Sequence, residues 1–146
     1  MVRTRRGLGV LGTIILLALG CSDGTGPGSD PQGALIPAAR EMTLRVGEEK
    51  QIQGSVLFLA FGMVVEDSRC PIDAMCVWAG NAMVELGIHA GMGPTHPIRL
   101  NTGLEPKSMV WNGVRLTLLE LQPLPRGGQP VKADAYVVKV RLEPEK

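Results

Sequence analysis

Met109-Val110-Trp111-Asn112-Gly113-Val114-Arg115-Leu116 sets an Asn-Gly pair between two short runs rich in apolar residues, and its reading decides the fold. Asn and Gly both tolerate the positive φ that a two-residue type I′ turn demands, so the pair joins two antiparallel strands. Outward from this hairpin the side-chain period stays at two. Val114, Leu116 and Leu118 share one face whereas Leu119 and Leu121 share the other, and a bulge near Leu118 reconciles them. Pro123, Pro125, Gly127, Gly128 and Pro130 end that strand in a loop. Beyond it Tyr136, Val138, Val140 and Leu142 alternate with Val137, Lys139 and Arg141 in a last strand.

Upstream of the hairpin the same rhythm holds. Met42, Leu44 and Val46 form a half-buried strand, Gly47-Glu48-Glu49 turns into a short strand around Gln51 to Gly54, and Val84, Leu86 and Ile88 form another. Ile98 and Leu100 point inward from a strand bounded by Gly91-Met92-Gly93-Pro94 and Asn101-Thr102-Gly103. Val56 to Val65 is apolar on both parities, which fits a central strand or two strands meeting at Gly62. With 19 Gly and 11 Pro in 146 residues, turns recur at short intervals and the chain makes one domain of seven or eight strands. The expected fold is all-β: an antiparallel two-sheet sandwich of immunoglobulin-like type, with a small β-barrel as the alternative.

The first 20 residues belong to a different kind of segment. Met1 to Arg6 is short and basic, and Leu8 to Leu19 is an apolar run broken only by small residues and Thr13. This is the n-region and h-region of an export signal, and the run is shorter than the 20 or so residues of a transmembrane helix. Leu17-Ala18-Leu19-Gly20-Cys21 resembles the lipobox of bacterial lipoproteins. The resemblance implies cleavage after residue 20, acylation of Cys21 and a membrane anchor of more than one acyl chain, which holds a protein stably on a bilayer. Ser22 after the cysteine implies default sorting to an outer membrane, facing the periplasm, if the source is diderm. Residues 21–34 carry small and polar residues and no large apolar one, so they read as the acylated cysteine plus a flexible tether reaching about 20 Å. The β domain then occupies 35–146.

Charge excludes one partner class. Removing Arg3, Arg5 and Arg6 with the signal leaves 12 basic residues against 14 acidic ones, with no basic cluster of the kind that neutralises phosphates. Nucleic acid is not an expected partner.

With Cys21 assigned to lipid, Cys70 and Cys76 are the two thiols left, and an oxidising compartment pairs them. Closing a seven-residue loop contributes roughly 2 to 2.5 kcal/mol on the chain-entropy account. The wider pattern is Asp67-Ser68-Arg69-Cys70-Pro71, then Cys76-Val77-Trp78-Ala79-Gly80. It is similar to a motif in a group of small bacterial secreted proteins and lipoproteins, with weaker similarity in the Leu-rich strand ending Pro123-Leu124-Pro125. That resemblance implies an exported β domain and carries no reaction with it. Physically, Asp67 suits an Asx-type turn, Arg69 can pair with Asp67 or Asp73, and Pro71 fixes the turn. Trp78 is expected to cover the disulfide, and Gly80 suits a bulge or a close backbone approach. Scaffolding is the preferred role of the loop, and a recognition surface held rigid by the crosslink is the other reading.

Metal and catalytic constellations are weaker. Cys70, Cys76, His89 and His96 have spacings outside zinc-finger ranges, and a disulfide removes both sulfur ligands. Met75, Met83 and Met92 read as gap-fillers before copper ligands, and His89 is expected to point to solvent. Ser68 has no evident base, Glu66, Asp67 and Glu85 read as solvated carboxylates, and the sequence holds no Gly-x-Ser-x-Gly or His-Glu-x-x-His. No metal or other cofactor is expected. The functional expectation is therefore a lipid-anchored envelope protein whose β domain is a non-catalytic binding or structural module, with an envelope protein or a glycan as its partner. A small-ligand or metal-binding lipoprotein is the second reading and an envelope hydrolase the third. An interaction module requires an apolar or aromatic patch, expected around Trp111 and the Pro123 to Pro130 loop.

Overall fold

The hairpin at Asn112-Gly113 forms as its chemistry requires. Asn112 has a φ of 45° and Gly113 of 74°, and Trp111 pairs with Val114 across the turn. The computed structural model describes residues 36–145; the export signal, Cys21 and the tether lie outside the described residues. Eight strands follow in order: β1 (Arg40–Arg45), β2 (Glu49–Gln51), β3 (Leu57–Asp67), β4 (Ala82–Ala90), β5 (His96–Asn101), β6 (Ser108–Trp111), β7 (Val114–Gln122) and β8 (Val137–Pro144). Among the described residues a 3-10 turn at Ala133–Ala135 is the only helical interruption, and no helix is long and apolar enough to cross a membrane.

The strands make two antiparallel sheets of four, ordered β1-β8-β7-β6 and β2-β3-β4-β5. The expected two-sheet sandwich is the fold, and it stays open instead of closing into a barrel. Its strand order is a meander and not the Greek key of an immunoglobulin-like domain. Apart from the β1–β8 pair, every neighbour in a sheet is also the next strand in sequence. The reason lies in the connections: most are turns of two to six residues, too short to carry a strand past its predecessor.

Alternation builds the core. Leu57, Leu59 and Phe61 of β3 and Val138, Val140 and Leu142 of β8 are fully buried, each contributing about 1.5–3 kcal/mol relative to exposure. Ile36, where the sequence places the start of the domain, is buried with them. The expected bulge in β7 lies between Leu118 and Glu120, so Leu118 and Leu121 are both buried while Leu119 faces water. Strand β3 is one continuous strand across Gly62, with register slips after Phe61 and after Val64. Its apolar residues on both parities divide as follows: Leu57, Leu59 and Phe61 are buried, Phe58, Ala60 and Val64 on the other parity are half-buried, and beyond the first register slip Met63 and Val65 are exposed.

Because strands alternate in direction, the connections gather at two poles. One pole carries the β3–β4 loop (68–81), the β5–β6 loop (102–107) and the β7–β8 loop (123–136). The opposite pole carries the point where the chain comes in, the 52–56, 91–95 and 112–113 turns, and the exit after Pro144. Contacts confirm the grouping there: Gly91 N–H donates to Val56 O at 2.8 Å, and Glu145 N–H donates to Gly113 O at 2.8 Å.

Candidate functional site

The β3–β4 loop begins by extending the ladder of its own strands. Ser68 N–H donates to Asn81 O at 2.7 Å and Cys70 N–H to Ala79 O at 2.9 Å. Gly80 allows this closeness. Its φ is +73°, and a Cβ there would stand 1.9 Å from the Ser68 carbonyl oxygen, which realises the expected close backbone approach. Cys70 and Cys76 are joined by a disulfide with a Cα–Cα distance of 5.9 Å.

Arg69 is the clamp between sheets. Its Nε donates to Asp67 Oδ1 at 2.8 Å and its Nη2 to Asp67 Oδ2 at 2.6 Å, a bidentate pair. The same guanidinium reaches across to the end of β7, where Nη1 donates to Leu121 O at 2.5 Å and Nη2 to Pro123 O at 2.9 Å. Asp67 also accepts from Arg69 N–H at 3.2 Å, the expected Asx-type turn, and from the Tyr136 hydroxyl at 3.0 Å. The two charged side chains are only 9% and 11% exposed. Burial alone would raise the Asp67 carboxyl, but the hydrogen bonds from Arg69 and Tyr136 together with the guanidinium charge outweigh it and hold the carboxyl below its ordinary range. Tyr136 is pushed up, first by burial and then by its bond to the Asp67 carboxylate.

Asp73 does not take part in this pair. Its Oδ1 accepts from Gly127 N–H at 2.7 Å, and Ile72 N–H donates to Pro125 O at 3.0 Å, so the crosslinked loop is fastened to the β7–β8 loop. The third loop is fastened by two buried asparagines. Asn81 Nδ2 donates to Asn101 Oδ1 at 2.8 Å, Gly103 N–H donates to Asn81 Oδ1 at 2.9 Å, and Asn101 Nδ2 reaches Glu105 O at 3.2 Å.

Above this fastened base the tip is apolar and wet. Trp78 is 80% exposed, Val77 89% and Ile72 53%, and Met75 is fully exposed. The expectation that Trp78 covers the disulfide is therefore corrected: the loop is held by backbone bonds, the Arg69 clamp and the crosslink, and needs no indole lid. The expected patch around Trp111 and the Pro123 to Pro130 loop is present only in part: Trp111 is half-buried and leans on His96 with ring centroids 5.2 Å apart, Met109 and Val110 beside it are exposed, and in the β7–β8 loop Leu124 is exposed, all less so than the tip of the crosslinked loop.

The remaining sequence candidates are dispersed. His89 lies on the outer face of β4 at the opposite pole, but its ring is covered by Phe58, stacked at 5.1 Å, with Nδ1 2.8 Å from Gly91 O and Nε2 3.2 Å from Glu49 Oε2. It does not project freely into solvent. Cys70 and Cys76 are a whole domain length from His89 and His96, and among the described residues no group of three or more His, Cys, Asp or Glu side chains converges as for a metal ion. Glu85 pairs with Arg99, away from Asp67. A shallow hollow of about 460 Å³ opens between the crosslinked and β7–β8 loops over Asp67, Arg69 and Tyr136, whose polar atoms already bond to one another. Sequence reading missed Tyr136, Asn81 and Asn101 as parts of this pole. Asn101 in Asn-Thr-Gly reads as a turn former, Asn81 carries no reading of its own, and nothing local signals that they meet. No family model matches the chain, and neither the curated proteins nor the solved structures contain a match to it.

Proposed function

We propose that this chain is an exported envelope protein, anchored through acylated Cys21, whose β-sandwich is a non-catalytic binding module presenting the Cys70–Cys76 loop. One observation carries the reading: the loop is crosslinked and tied to two neighbouring loops at its base, while Ile72, Met75, Val77 and Trp78 at its tip stand in water. Apolar and aromatic residues held rigidly in solvent lose little entropy when a partner covers them, which is what an interaction surface requires. If the source is diderm, the export signal and Ser22 support a location on the outer membrane facing the periplasm. The small-ligand reading has the 460 Å³ hollow in its favour. It is the weaker of the two, because the hollow is open and its charged floor is already paired.

Two measurements test the reading. Intact mass of membrane-extracted protein should begin at Cys21 with acyl mass added; an unmodified Cys21 or another start removes the anchor. In mild-detergent extracts the wild type should sediment in a complex larger than its own mass, and Cys70→Ser/Cys76→Ser should shift much of it to the free form while the fold persists. Wild type that sediments only as the free protein overturns the binding module.

A further inference from the structure

We infer that the partner is a folded protein with an apolar cleft into which the Cys70–Cys76 loop inserts its tip; this rests on the binding-module reading above. The first support is where the chain comes in. Thirty-five residues precede Ile36, including the apolar run and Cys21, and they join the domain at the pole opposite the crosslinked loop. Pro37 marks that pole by its neighbour: a Cβ on Gly54, in the β2–β3 turn, would stand 3.2 Å from the Pro37 ring. Between the poles runs β3, 11 residues long, which spans about 35 Å at the usual rise. On a tether of about 20 Å typical reach, an anchor at Cys21 therefore leaves the apolar tip at the end of the domain farthest from its point of attachment, free to meet a partner beyond the anchoring bilayer.

The second support is charge. From Cys70 to Gly80 the only ionisable side chain besides the disulfide is Asp73. Arg69, the nearest cation in sequence, is spent on Asp67 and on the carbonyls of Leu121 and Pro123. Segments that lie on lipid place Lys and Arg beside their apolar residues to meet the phosphates; Cys70 to Gly80 offers none, and the exposed Arg126 and Lys107 stand on the two neighbouring loops and not among the tip's apolar side chains. Trp and Met are the residues enriched in the buried centres of protein interfaces. The tip is convex, so the complementary surface is concave and apolar.

The third support is continuity of the surface. Leu124 and Leu104 are exposed on the two loops fastened to the crosslinked one, through the Ile72–Pro125 and Asn81–Gly103 hydrogen bonds. They supply apolar contacts around the Trp78 and Met75 anchors.

The test uses full-length, membrane-anchored protein in cells of the source organism. A photo-crosslinking residue, p-benzoylphenylalanine, replaces Val77 in one strain and Gln53, exposed at the opposite pole, in another. Position 77 should give one discrete adduct with another protein, and position 53 should not give it. That protein, purified, should bind the anchored domain in detergent with an affinity that Trp78→Ser and Met75→Ser each lower about 30-fold, the scale of an interface anchor, while Gln53→Ser leaves it unchanged. Both tip residues are exposed, so unfolding midpoints equal to wild type should accompany the loss. An adduct only with a second copy of this chain overturns the inference. So does binding of the Cys21→Ser protein to vesicles of phosphatidylethanolamine and phosphatidylglycerol that Trp78→Ser abolishes. A partner captured at position 53 and insensitive to the tip variants refutes the loop as the contact and leaves the binding module standing; no adduct from either position, with wild type free in extracts, refutes both.

Discussion

Replacing Arg69 with Met should cost about 3 kcal/mol of stability, although the residue sits in a loop. Methionine keeps an apolar stem of similar reach and removes every donor. Asp67 then keeps only the backbone Arg69 N–H and the Tyr136 hydroxyl as partners, and the Leu121 and Pro123 carbonyls lose their donor. Removing one member of a buried pair costs about 3–5 kcal/mol when the other charge is left stranded; the two remaining donors on Asp67 and the more exposed bond to Pro123 place this case at the lower end. The double variant Asp67→Asn/Arg69→Met removes the stranded charge and should recover about 1 kcal/mol relative to Arg69→Met, since contacting sites are not additive. Urea unfolding of the purified protein followed by far-UV circular dichroism reads both. With an m-value of about 1.5 kcal/mol/M for a domain of this size, Arg69→Met should lower the midpoint by about 2 M at unchanged m. A drop under about 0.5 M, or a double variant no more stable than the single, would refute the clamp as a cross-sheet stabiliser.

Two further outcomes concern the same pole, the first by comparison with a turn at the other. Gly80 and Gly113 have nearly equal φ, +73° and +74°, but a Cβ meets the Ser68 carbonyl at Gly80 and nothing within 4 Å at Gly113; thermal unfolding should show Gly113→Ala losing about 1 kcal/mol and Gly80→Ala on the order of 3 kcal/mol or more, and equal losses would show that backbone contact is not what demands Gly80. In pH dependence, the Asp67 carboxyl is held low in the folded state, so the unfolded chain takes up that proton first and the stabilisation, full above the ordinary carboxylate pKa of about 4, is lost as pH falls below it. Tyr136 is held high, so its contribution is full below about pH 10 and is lost as pH rises beyond; Asp67→Asn should flatten the acid limb of a melting-temperature profile and Tyr136→Phe the alkaline limb, and unchanged limbs would break the link to this cluster.

The fold was legible where the signals were local. Asn112-Gly113 announced its turn, the parity change from Leu118 to Leu121 announced its bulge, and the alternation in β4 and β8 marked their inner faces. Strand order was not legible, because immunoglobulin-like and meander sandwiches have the same alternation and the same turn residues; what separates them is which strand each connection passes over. Within the site, Asp67, Arg69 and Gly80 could be read because their partners lie within the motif or one ladder step away. Tyr136 is 69 residues from Asp67 and Asn81 is 20 from Asn101, and neither separation leaves a periodic trace. Trp78 was misread for a physical reason as well. A large aromatic beside a disulfide is normally buried with it, and the rule fails here because the loop is secured by polar bonds below the crosslink.

That failure bears on function. An indole buries 150–250 Å² when packed, so leaving Trp78 four-fifths exposed forgoes about 4 kcal/mol of hydrophobic stabilisation at 25 cal/mol/Å². Met75, Val77 and Ile72 forgo more. A loop meant only to close the end of the sandwich would fold these residues down over Pro71, Leu124 and the disulfide, and the 460 Å³ hollow beside Tyr136 leaves room for such a collapse. The crosslink, the Asp73–Gly127 bond and the Ile72–Pro125 bond hold the tip out instead. Stability given up at the tip is compensated at the base by the Arg69 clamp and the buried asparagine pair, so holding and presenting are divided between the two halves of one short motif.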